Sequence, residues 1–125
     1  MKLYVFLAVL AVFAVADCVS TTSPETVLTG TPAQTANVDI TDSGFSPQTV
    51  TILQGGTVTW TNKGSLPSQP ASAVHPTHQE YPGFDALQGI NTGQTYSFTF
   101  DRVGTWKYHD HMNPSHFGTV VVQAS

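Results

Sequence analysis

The sequence predicts an all-β sandwich of about seven short strands with one long loop. Three observations point there. Apolar and polar residues alternate in several short runs, above all Thr95-Tyr96-Ser97-Phe98-Thr99-Phe100, which puts three aromatics on one face and three hydroxyls on the other. Ten glycines and eight prolines supply turn residues between such runs. No stretch beyond the N-terminal region carries a convincing 3.6-residue period.

Taken in order, the chain divides into three parts. Residues 1–16 read as a secretory signal: Lys2, then an apolar run from Leu3 to Ala16 that ends in small residues. That run is shorter than the roughly 20 apolar residues a membrane-spanning helix needs. Residues 17–36 are rich in Ser, Thr and Pro and lack a hydrophobic period, so they read as a tether. Cys18 stands where a bacterial lipoprotein would be acylated, although Asp17 before it is a poor match. A lipid anchor and a free thiol both remain open. The domain is expected over 37–125, outside the cytoplasm.

Within it, Val38-Asp39-Ile40 alternates, Phe45-Ser46-Pro47-Gln48 turns the chain, and Thr49–Leu53 is a β-branched run. Gln54-Gly55-Gly56 reads as a turn, because glycine tolerates positive φ. Thr57–Asn62 alternates again, with Val58 and Trp60 on one face. Residues 63–93 form a proline-rich loop, in which Tyr81–Asp85 reads as packing. Thr95–Phe100, Thr105–His109 and Phe117–Val122 are the closing strands. Trp60, Tyr96, Phe98, Phe100 and Trp106 are the expected core aromatics.

Eight acids against four bases give a net charge of −4, which argues against a nucleic-acid footprint. A single cysteine excludes an intramolecular disulfide framework, a cysteine-rich zinc site and an iron–sulfur cluster. No Ser-His-Asp arrangement, phosphate-cradling glycine loop or paired carboxylate stands out, so no catalytic residue is assigned.

The chemistry gathers in the histidines. All five lie in two segments, His75-Pro76-Thr77-His78 in the long loop and His109-Asp110-His111-Met112-Asn113-Pro114-Ser115-His116 between the last strands. Imidazole is the commonest metal ligand and suits Cu, Zn, Fe and Ni. The candidate ligands are His75, His78, His109, His111, His116 and Asp110. Alternation places Trp106, Tyr108 and Asp110 on one strand face and Lys107, His109 and His111 on the other. Two arrangements are therefore open. In one, His109 and His111 meet His75 and His78. In the other, Asp110 and His116 face the site, and His109 supports it from behind.

From Val38 to Gln123 the chain resembles a cupredoxin, the small exported copper-protein fold. The resemblance rests on Phe45–Val50, Gly55–Asn62, Gly93–Phe100, Val103–His109 and Gly118–Val122. It implies a Greek-key topology with a metal site in the loops at one end. Matched on Tyr108, Pro114 and Gly118, the blue-copper cysteine position is Asp110, the second histidine position Asn113 and the axial methionine position His116. The first histidine position falls near Ser68. Without the thiolate a blue site is excluded.

The resemblance and the histidines together lead to a binding protein holding copper, expected as Cu(II), or else zinc, for buffering, storage or delivery. Redox chemistry at a nitrogen-and-oxygen copper site is the alternative, and a domain that has lost its site is the third. The partners expected are the metal ion, a redox or copper-delivery protein, and a membrane anchor through Cys18.

Overall fold

Seven strands form, most of them where the sequence alternates: β1 (Ala33–Thr41), β2 (Gly44–Ser46), β3 (Thr49–Asn62), β4 (Pro70–Ser72), β5 (Thr95–Phe100), β6 (Gly104–Asp110) and β7 (Asn113–Gln123). The structure, a computed structural model, describes residues 32–125. The expected signal segment, Cys18 and the tether up to residue 31 lie outside the described residues. β1 begins at Ala33, ahead of the expected domain start at 37.

The strands make one sheet in the order β2-β1-β3-β7-β6-β4, with β5 on β3. β3 is shared between the two layers. Its first part, Thr49–Leu53, runs parallel to β7; its last, Thr57–Asn62, lies between parallel β1 and antiparallel β5. Gly55-Gly56 is therefore a bend inside one 14-residue strand, not the turn between two strands that the glycines suggested. The close approach explains the residues chosen. Gly55 takes φ +83°, and a Cβ on Gly56 would lie 2.8 Å from the carbonyl oxygens of Gln34 and Leu53.

The bend folds the sheet onto itself as a sandwich. Val38, Ile40, Val58, Trp60 and Phe100 from one layer pack against Val50, Ile52, Tyr108, Val120 and Val122 from the other. The long loop contributes Tyr81 and Phe84, both buried, and Phe84 stacks on Trp60 at 5.2 Å. Tyr96, Phe98 and Trp106 are only partly buried, packed against this core.

Two loop features position the site. Tyr81 donates its hydroxyl proton to Asp101 Oδ1 at 2.5 Å and accepts from the Asp101 N–H at 3.0 Å, which pins the loop to the β5–β6 turn. The short strand β4 then pairs β6 on one edge and meets Asp85 through an isolated bridge on the other.

Candidate metal centre

On β6, alternation buries Tyr108 and Asp110 on the inner side and leaves His109 on the outer side. The inner residue is well occupied. Asp110 accepts from Ser68 Oγ at 2.7 Å, from the Gln69 N–H at 2.8 Å and from the Met112 N–H at 3.0 Å. The outer residue would be in water but for the loop, which folds back over it. The Ala73 N–H bonds the Lys107 carbonyl at 2.9 Å, and the His78 and Glu80 N–H groups close on Val74 and Ala73 at 2.8 Å. His109 is thereby only 6% exposed.

Across the sheet, His109, Ala71 and Asp85 are directly opposite one another, so all three side chains share a face. Ala71, between the other two, is small and fully buried. His78 adopts φ +54°, a left-handed conformation that costs a side-chain-bearing residue energy although histidine visits it more readily than most.

The outcome is a cluster of four imidazoles. His75, His78, His109 and His111 each offer one ring nitrogen, and all four atoms lie within 4.8 Å of one another. His75 Nδ1 is 3.2 Å from His109 Nε2, and His111 Nδ1 is 3.0 Å from His78 Nε2. Two nitrogens on one metal, with bonds of about 2.0–2.1 Å, stand roughly 2.9 Å apart in a square plane and 3.4 Å apart in a tetrahedron. Both contacts fall in that range. Burial lowers the His109 pKa, and the charges of His78, His75 and His111 lower it further against a smaller opposing effect of Asp110. A ligand that resists protonation suits metal capture.

His78 Nδ1 is 2.8 Å from Asp85 Oδ2. Burial raises the Asp85 pKa, but hydrogen bonds from the Leu87 N–H, the Gln69 amide and His78 outweigh it and hold the group below its usual value. The carboxylate is thus an ionised acceptor at neutral pH.

Of the six sequence candidates, the fold brings together four and places two elsewhere. Asp110 points inward, as described. His116 is on the segment Pro114–His116 that bulges out of β7, since Asp110 pairs Asn113 while His109 pairs Phe117. It lines a cavity of about 310 Å³ with Asp42, Ser68, Asp110 and Asn113. The four residues matched to blue-copper ligand positions line this cavity, and they provide neither a thiolate nor a thioether. Met112 also lines this cavity, with its Sδ packed against Gly89, 2.7 Å from where a Cβ there would be. Asp85 was not among the candidates. A lone acid in an aperiodic loop carries no signal until the sheet sets it opposite Ala71.

A Greek-key sandwich with a histidine cluster held between its long loop and the β6–β7 hairpin defines a class of small all-β proteins with a candidate metal site. The comparisons narrow the class. The chain is 32% identical to amicyanin-alpha of Methylorubrum extorquens, over 98% of this chain and the whole of that protein. It is 34% identical to plastocyanin of Scenedesmus fuscus, over 66% of this chain and 92% of that one. Among solved structures it matches a purple cupredoxin from Nitrosopumilus maritimus with a TM-score of 0.62 and 28% identity, covering 70% of this chain and 99% of that chain. No protein-family model matches. The chain belongs to the cupredoxin family, as a member that lacks the type 1 cysteine, and its relatives together with the histidine cluster point to copper.

Proposed function

We propose that this cupredoxin is exported and binds one Cu(II) through His75, His78, His109 and His111, to buffer, store or deliver copper. The observation that carries the reading is the convergence of four imidazole nitrogens within 4.8 Å. Imidazole donors without sulfur favour Cu(II) over Cu(I) and accept Zn(II) as a competitor. His75 is exposed, so the site opens to solvent and metal can pass to a partner protein through it. Copper held this way would supply Lewis acidity and a redox couple.

The test is one equivalent of Cu(II) added to the metal-free protein and followed by EPR. The expected spectrum is stoichiometric, with nitrogen hyperfine structure and a wide copper splitting. Replacing both His75 and His78 by alanine should weaken binding by more than about 100-fold, because residues that merely support a ligand are themselves worth 10–100-fold. His116→Ala should bind like the wild type. A His116 variant that loses copper while the double variant keeps it would move the site to the other cavity.

A further inference from the structure

We infer that Asp85 is a positioning residue of this centre, selecting the ring tautomer of His78 that can bind metal. The inference rests on the copper reading above and deepens it.

The argument starts from a fixed set of donors. Asp85 Oδ1 accepts from the Leu87 N–H at 2.7 Å and from Gln69 Nε2 at 2.9 Å. Its other oxygen, Oδ2, has His78 Nδ1 at 2.8 Å. An ionised carboxylate only accepts, so the proton of that contact belongs to His78 Nδ1. His78 Nε2 then carries the lone pair and faces the cluster, where it accepts from His111 Nδ1–H at 3.0 Å in the metal-free protein. A carboxylate that takes the far N–H of a ligating imidazole fixes its tautomer and orientation and raises its basicity. The setting is rigid. Asp85 is held in register with Ala71, and Leu87, one of its donors, has φ +64°. His78 is in the left-handed conformation at the other end of the contact. Backbone cost at both ends of one hydrogen bond is what an imposed orientation looks like.

Asn in place of Asp gives a pointed test. Leu87 N–H and Gln69 Nε2 demand an acceptor on their side, so the amide oxygen stays there and the amide NH₂ turns to His78. It would donate to Nδ1 and force the proton onto Nε2, the nitrogen that should bind metal. Asp85→Ala leaves His78 free to choose. The tautomer role therefore predicts that Asp85→Asn harms copper binding more than Asp85→Ala. A role as a mere loop brace predicts the opposite, because Asn keeps the contacts to Leu87 and Gln69 and Ala loses them.

The experiment measures two things on the full chain, wild type and both variants. Long-range ¹H–¹⁵N correlation spectra of the metal-free proteins report the His78 tautomer, and Cu(II) competition titration reports affinity. Expected are an Nδ1–H tautomer in the wild type, an Nε2–H tautomer in Asp85→Asn, and a 10–100-fold loss of affinity there that exceeds the loss in Asp85→Ala. A wild-type tautomer in Asp85→Asn, or a larger loss in Asp85→Ala, overturns the assignment. If the wild type takes up no copper the function proposed above fails, and the tautomer spectra still decide the role of Asp85.

Discussion

His109 shows how one side chain is set by what covers it. Burial and the neighbouring imidazoles depress its pKa below the ordinary imidazole value of 6.5. Above pH 6.5 it is neutral whether folded or unfolded and adds no pH dependence. As the pH falls below 6.5, the unfolded chain's imidazole takes up a proton that the folded one refuses, so the unfolded state gains. Stability contributed by a neutral His109 is thus full above 6.5 and is lost progressively as the pH drops through the folded value. Urea unfolding of the metal-free protein should show a falling midpoint between pH 7.5 and 5, and His109→Asn should flatten that fall. An identical slope in the variant would mean the folded imidazole titrates normally. The alternation of β6 already placed this residue on the outer face in the sequence. It did not reveal that the loop would cover it, because that depends on hydrogen bonds between residues far apart in the chain, such as Ala73 to Lys107.

At the level of elements, glycines fix where strands bend and touch. At Gly118 on β7 a Cβ would lie 2.5 Å from both Cζ and the hydroxyl oxygen of Tyr108, whose ring is buried and cannot step aside. Gly56 would press on backbone at 2.8 Å, whereas Gly55 meets nothing within 4 Å and is constrained only by its φ of +83°. Overpacking a filled site costs about 1–3 kcal/mol and a left-handed alanine about 1–2 kcal/mol. Gly56→Ala and Gly118→Ala should therefore destabilise at least as much as Gly55→Ala in chemical denaturation. If Gly55→Ala is the most damaging of the three, the bend is governed by backbone conformation and not by the contact between strands. The paired glycines were visible in the sequence, but a turn and a bend within one strand use the same residues. Pairing with β1, β5 and β7 decides between them, and pairing is a property of the assembled sheet. β4 was hidden in the loop for the same reason: Pro70-Ala71-Ser72 has no alternation and becomes a strand only because β6 offers an edge.

Across the whole molecule, the histidine cluster joins parts of the chain that the sequence keeps apart. The paired imidazoles are separated by 34 residues for His75–His109 and 33 for His78–His111. The two histidine-bearing segments were legible as candidate ligands, and the choice of four over His116 was not, since the bulge at Pro114–His116 carries that residue to another cavity. A metal held by both segments ties the loop to the β6–β7 hairpin and binds the folded state far better than the unfolded one. At a free copper concentration 100 times the Kd, that linkage is worth about 2.7 kcal/mol. A domain of this size gains roughly 4–8 °C in Tm for each kcal/mol, so copper should raise Tm by about 10–20 °C. His75 is exposed and neither loop histidine belongs to the hydrophobic core, so replacing both by alanine should leave the metal-free Tm within a few degrees. The same variant should lose the copper-induced rise. Thermal unfolding of both proteins, with and without Cu(II), checks the two statements together. An equal rise in wild type and variant would mean that copper stabilises the fold from a different place, and that these imidazoles do not carry the binding.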